Sequence, residues 1–155
     1  MKIAVIAFDG ITPFHLSVPC LIFGGNFSDP GVSAFEVVVC AADEVPLRTT
    51  AGFVIDTPSD LAALDHADLV IMPSWHDDCR EAPPALLEAL RRAHRRGASV
   101  VGLCLGAFPL AQAGLLDGRT ATTHWECAGI LADRYPKVRV DADVLYVDEG
   151  DILTS

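Results

Sequence analysis

The chain has 155 residues and a formal net charge of −10, and 51% of its residues are hydrophobic. This length favours one domain with a full hydrophobic core rather than two domains. The acidic charge argues against a domain that holds DNA or an anionic membrane by itself, because such domains carry a basic footprint. No apolar stretch approaches the roughly 20 residues that span a bilayer, and no secretory signal is visible.

Patterns in the first half of the chain predict strands that alternate with helices. In chain order they predict a strand over 2–8, a helix over 13–25, a strand over 35–41, edge-type strands within 47–57 and a short helix over 58–64. Pro19 predicts a kink or a late start in the first helix, because proline cannot donate a backbone hydrogen bond. Thr57 and Ser59 are both candidate N-caps for the second helix.

The second half continues the alternation. The patterns predict a strand over 67–73, a helix over 83–97, a strand over 98–103, a helix over 105–114 and strands over 119–124, 143–148 and 151–155. The arginines near the end of the 83–97 helix are interpreted as a solvated face that complements the helix C-terminus. Alternating strands and helices predict an α/β fold, a doubly wound, mostly parallel, flavodoxin-like sheet with helices on both faces.

A candidate site follows the strand over 98–103. Ligands of such sheets bind at the carboxyl ends of the strands, and Cys104 lies at one of these ends. A strand that enters a helix through Cys-x-Gly is the thiol version of a nucleophile elbow, and Gly106 permits the tight turn. Helix N–H groups beside the thiol predict a lowered pKa for Cys104. The N–H of Leu105, with a second donor at Ser74 or Trp75, would form an oxyanion hole.

The cysteines have plainer interpretations as well. On the pattern alone, Cys104 is as readily a small buried residue as a reactive thiol. The five cysteines are odd in number and scattered, which favours reduced thiols in a cytoplasmic protein over a disulfide framework. The spacings His76…Cys79 and His124…Cys127 each supply only two metal ligands, so we expect no metal and no other cofactor.

Several motifs together resemble a known family. The stretches "GLCLGAFPLAQAG", "LLDGRTATTHW", "RYPKVRVD" and "DEGDILTS" resemble the ThiJ/PfpI superfamily, whose fold is that of the class I glutamine amidotransferases. They look most like the sensor domain at the N-terminus of AraC-type transcription regulators. The resemblance implies one domain over 1–155, without the final helix and the helix-turn-helix module with which such regulators continue. DNA would be a partner only through that module.

The resemblance also assigns individual residues. Cys104 falls on the family's elbow cysteine, and His124 falls on a histidine near that cysteine in several members. Ser74 falls where many members have a glycine beside the oxyanion pocket. Two positions depart from the enzymes: His15 stands in place of a carboxylate, and Leu105 stands in place of the histidine of the protease branch. Both histidines have a plain alternative as polar side chains satisfied by local hydrogen bonds.

The resemblance implies a domain that binds a small-molecule effector and dimerises, with little or no catalysis. Its ligand-binding residues would be His15, Ser74, Trp75, Leu105 and Gly106. Its reactive or sensing groups would be Cys104 and His124. The alternative is a cysteine-dependent hydratase or amidase, similar to isonitrile hydratases, with Cys104 as the nucleophile. A glyoxalase- or chaperone-like stress protein is a third alternative with weaker motif agreement.

Overall fold

The computed structural model describes residues 1–25 and 35–155. The strands are β1 (Lys2–Ala7), β2 (Glu36–Ala41), β3 (Leu47–Arg48), β4 (Val54–Ile55), β5 (Leu69–Met72), β6 (Ser99–Gly102), β7 (Thr120–Ala121), β8 (Arg139–Val140), β9 (Val147–Asp148) and β10 (Ile152–Thr154). The helices are α1 (Pro13–Gly24), α2 (Pro84–Arg95), α3 (Ala107–Gln112) and α4 (Ala128–Arg134).

A six-stranded sheet forms the centre of the described chain, with strand order β2-β1-β5-β6-β10-β9. The first five strands are parallel, and β9 pairs with β10 in the antiparallel sense. Val5 in β1 stands beside Val39 on one side and Ile71 on the other. Because all five parallel strands point the same way, the loops after β1, β5 and β6 meet at one edge. The predicted fold class is confirmed.

One face of the sheet is fully covered. Val70, Met72 and Val100 point to this face and are inaccessible to solvent. Helix α2 packs against β6 and α3, and its Leu86 and Leu90 are also completely buried. Side chains alternate along a strand, so the neighbours of Val70, Met72 and Val100 in β5 and β6 point to the opposite face. The core of the domain therefore lies mainly between the sheet and the layer of α2 and α3.

Among the described residues, α1 covers part of the opposite face. Between α1 and the strands β5, β6 and β10 lies a wholly apolar groove of about 330 Å³. We call it the apolar groove; it is lined by Val18, Pro19, Ile22, Phe23, Leu69, Ile71, Val101, Leu103 and Leu153. The side chain of Ile22, which lines the groove, is 54% exposed.

Several local predictions were wrong. The predicted helix over 58–64 is a 3-10 turn over Leu61–His66, and its N-cap is Asp60, whose carboxylate accepts the N–H of Ala62 at 2.9 Å. Thr57 is not the cap because its hydroxyl donates instead to the carbonyl of Val39 at 2.7 Å. Helix α1 starts at Pro13 and continues through Pro19, so the late start is also wrong.

The region after the candidate site also differs from the prediction. The helix predicted over 105–114 begins as a 3-10 turn at Cys104–Gly106, and α3 occupies only Ala107–Gln112. The sequence patterns missed α4 and β8 altogether. Within the part of the chain that the structure describes, no helix has the length and apolar character that crossing a bilayer requires.

Candidate functional site

The chain bends sharply at the carboxyl end of β6. Cys104 opens the turn with a φ of +52°, which is uncommon for a residue other than glycine. Two residues later, a Cβ on Gly106 would lie 2.2 Å from the carbonyl oxygen of Met72. Only glycine fits so close to the backbone of β5. The turn therefore holds Cys104 at the edge of the sheet where the loops after β1 and β5 also begin.

The Cys104 thiol is half-buried. The backbone N–H of Leu105 and the side chain of Ser74 act to lower its pKa. Burial has the larger effect, because a desolvated thiolate is costly, and it raises the pKa of Cys104 above its ordinary value. The predicted lowering of this pKa is wrong. The helix-end donors are present, but they do not offset the loss of solvent.

A cavity of about 440 Å³ opens beside this thiol. We call it the site cavity; it is lined by His15, Ser74, Asp77, Cys104, Leu105, His124, Glu126 and Cys127. It thus brings together five of the predicted residues, from α1 and from the segments that follow β5, β6 and β7. A shallower cavity of about 350 Å³ adjoins it along Cys104 and His124 and includes Trp125 and Asp143.

His15 enters the site cavity from the first turn of α1. Its Nδ1 atom is buried, and among the described residues it has no hydrogen-bond partner. Burial lowers the pKa of His15, although the carboxylate of Asp77 acts in the opposite direction. The ring is therefore neutral near pH 7. A ligand that reaches this buried nitrogen would supply the hydrogen bond that it lacks among the described residues.

His124 is fixed by its own turn. Its Nδ1 accepts the N–H of Glu126 at 3.4 Å, so a neutral ring carries its proton on Nε2. The ring stacks on the indole of Trp125, with 5.8 Å between the centroids. The hydroxyl of Thr123 donates to the carbonyl of Cys104 at 2.7 Å and ties this segment to the bend. His124 is thereby held at the junction of the two cavities.

Two predicted ligand-binding residues do not line the site cavity. Trp75 is buried, and its indole N–H donates to the carbonyl of Arg80 at 2.7 Å while its ring packs on Phe8. It borders a separate cavity on the far side of Asp77. Gly106 lies beneath the bend against Met72. Trp75 and Gly106 therefore pack against buried residues next to the site, and their contacts with these residues leave them outside the lining of the site cavity.

Three lining residues were missed: Asp77, Glu126 and Cys127. A signal was available, since Asp77 follows Ser74 in the same loop and the other two follow His124 within one turn. The carboxylates of Asp77 and Glu126 are accompanied by no lysine or arginine among the described lining residues, so the site is acidic. No group of three or more His, Cys, Asp or Glu side chains in residues 1–25 and 35–155 is placed to hold a metal ion.

Comparisons with known proteins show the family to which this parallel-sheet domain belongs. The model of the DJ-1/PfpI family matches residues 1–155. The chain belongs to the DJ-1/PfpI family. This DJ-1/PfpI chain is 34% identical over 117 residues to the HTH-type transcriptional regulator CdhR of Pseudomonas aeruginosa. The match covers 76% of the chain and 34% of CdhR, so the chain spans about a third of that regulator.

Two further proteins show the range of relatives of this DJ-1/PfpI domain. An uncharacterized protein of Streptomyces lividans, from the cpoL 5′ region, is 32% identical over 136 residues, which cover 87% of the chain and 95% of that protein. The crystal structure of an AraC family transcriptional regulator from Pseudomonas putida superposes with a TM-score of 0.76 at 21% identity, covering 99% of this chain and 82% of that one. The domain thus resembles both a part of a regulator and a protein of nearly its own size.

Proposed function

We propose that this DJ-1/PfpI domain is the sensing unit of an AraC-type transcription regulator and that it binds a small effector in the site cavity. The observation that carries the proposal is a preformed cavity of about 440 Å³ at the carboxyl edge of the sheet, the size and place of small-molecule sites in such folds. His15 lines this cavity, and its buried Nδ1 has no hydrogen-bond partner among the residues that the structure describes. The likeness to CdhR supports the regulatory role.

The charge of the cavity favours a cationic effector. Asp77 and Glu126 line it, and the described lining residues include no cation to balance them. The exposed indole of Trp125 lies at the adjoining cavity, and an aromatic face attracts a cation such as a substituted ammonium group. We therefore infer an effector that carries a positively charged nitrogen and a group that hydrogen-bonds His15.

A matched pair of probes tests this charge preference. Calorimetric titration with choline is expected to show binding, whereas its uncharged isostere, in which carbon replaces the quaternary nitrogen, binds at least about tenfold more weakly. The double variant Asp77→Asn, Glu126→Gln should lose this discrimination. Asp133→Asn changes a carboxylate on the outer surface of α4 and is the matched control. Equal affinity of choline and its isostere would refute the cationic effector.

The hydratase alternative has weaker support. A cysteine nucleophile works as its thiolate, and burial raises the pKa of Cys104 instead of lowering it. His15 is neutral, so it does not replace the carboxylate that the enzymes of the superfamily use. The half-buried Cys104 thiol is better suited to contact or sense a ligand than to attack one.

Two partners complete the proposal. Since this domain carries a net charge of −10, DNA would be held by a separate helix-turn-helix module in the same polypeptide, working in the cytoplasm. A second copy of the domain would cover the apolar groove, because large exposed apolar patches mark association sites and most soluble oligomers are symmetric dimers. Residues 1–155 alone are therefore expected to leave duplex DNA unshifted in an electrophoretic assay at physiological salt.

A further inference from the structure

Exposed apolar side chains gather at the entrance of the site. The shallower cavity of about 350 Å³ that adjoins the site cavity is here called the outer cavity. Trp125, Val144 and Leu145 line it and are 72%, 40% and 89% exposed. A single exposed apolar residue is ordinary on a protein surface, but several around one concavity are typical of a binding site. Asp143 also lines the outer cavity, and its exposed carboxylate keeps the negative sign of the site cavity.

Backbone hydrogen bonds hold this apolar wall beside the site. The wall comes largely from the loop over 141–146, which connects β8 to β9. The N–H of Asp141 donates to the carbonyl of Ala121 in β7 at 2.9 Å, and the N–H of Asp143 donates to the carboxylate of Asp141 at 3.0 Å. The first of these bonds ties the loop to the strand whose following segment carries His124. The loop is therefore anchored to the site at the point where it leaves β8.

The outer cavity and the site cavity share lining residues, because Cys104 and His124 border both. The indole of Trp125 stacks on His124 with one face, and the ring is otherwise largely exposed. Within the site cavity, Asp77 and Glu126 supply the negative charge. A ligand that passes over Cys104 and His124 therefore meets carboxylates at one end and an apolar wall at the other.

We propose that the outer cavity is a subsite for an alkyl chain, so that the effector is an amphipathic cation with a substituted ammonium group and an apolar tail. This inference rests on the proposed function, since the charged end of the same ligand occupies the site cavity. The tail extends past Trp125 toward Val144 and Leu145 and removes their apolar surface from water, which favours binding. Each methylene buried in this way raises the affinity by about two- to fourfold.

Two series of probes test the subsite by chain length. In the charged series, one N-methyl group of choline is replaced by an ethyl, a butyl or a hexyl chain. In the uncharged series, carbon replaces the quaternary nitrogen of each compound. Calorimetric titration, below the concentrations at which the probes aggregate, should show an affinity that rises by about two- to fourfold per methylene in both series. The charged member of each pair should bind more tightly, because the carboxylates of the site cavity act on the nitrogen alone.

Matched double variants locate the chain. Val144→Ser with Leu145→Ser removes the apolar wall and should abolish most of the rise in affinity with chain length. Both side chains are exposed, so the fold tolerates their replacement. Phe53→Ser with Val54→Ser is the control, because these neighbours are 53% and 57% exposed and do not line the outer cavity. The control should keep the wild-type rise in both series.

The outcomes separate this subsite from the proposed cationic effector. The subsite is overturned if the wild-type affinity does not depend on chain length, or if the rise persists without Val144 and Leu145. It is also overturned if Ile22→Ser abolishes the rise instead, because the chain then binds in the apolar groove. Failure of the cationic effector has a different signature: charged and uncharged probes of each length bind equally, while the rise with chain length remains.

Discussion

The pKa of the Cys104 thiol reflects a balance between desolvation and two nearby polar groups. Burial raises its pKa, while donors from Ser74 and Leu105 lower it. We therefore expect the rate of alkylation by iodoacetamide to inflect above the pKa of a free cysteine, about 8.5. The rate is followed on the tryptic peptide 97–119 across a pH series. A midpoint well below the free value would restore the nucleophile hypothesis.

A pair of serine variants isolates the donor contribution. Ser74→Ala removes a hydroxyl that acts to lower the pKa of Cys104, so the midpoint should move further upward. Ser17→Ala removes an exposed hydroxyl that donates to the carbonyl of Phe14 on α1, and it should leave the midpoint in place.

His15 links the site to the stability of the fold. Burial holds its folded pKa below the ordinary value of 6.5, so the unfolded chain binds protons more readily in mild acid. The contribution of the neutral His15 ring to the free energy of unfolding is complete above about pH 6.5. It falls as the pH drops toward the pKa of the folded state. We expect the free energy of unfolding, measured with urea, to fall between about pH 7.5 and about pH 5.5, and to fall less for His15→Gln than for the wild type. Equal losses would contradict a buried neutral ring.

At the scale of the element, the bend after β6 depends on contact between two backbones. Gly106→Ala places a methyl group on the carbonyl of Met72, and this clash should lower the free energy of unfolding by about 1–3 kcal/mol. Gly129→Ala is the control, since nothing lies within 4 Å of its added Cβ in α4. That change should stabilise the domain by up to about 1 kcal/mol. Chemical denaturation of both variants measures the contrast, and equal effects would exclude close packing as the cause.

At the scale of the whole molecule, the proposed dimer would form through the apolar groove. Light scattering after size exclusion should show dimers whose population rises with salt, because screening reduces the repulsion between copies of charge −10. Ile22→Glu charges the edge of the groove and should give monomers. Phe53→Glu changes a side chain of similar exposure outside the groove and should leave the dimer intact. A wild-type protein that stays monomeric at every concentration would refute this interface.

By itself, the sequence determined the fold class and the place of the bend, because buried apolar runs and a Cys-x-Gly turn are local patterns. It also identified His15, Ser74 and His124 as neighbours of Cys104, through the resemblance of their motifs. Only the tertiary structure decided the electrostatics of the site. Asp77 and Glu126 come from loops far apart in the chain, and desolvation depends on every element that surrounds a group. The raised pKa of Cys104 arises in that assembly.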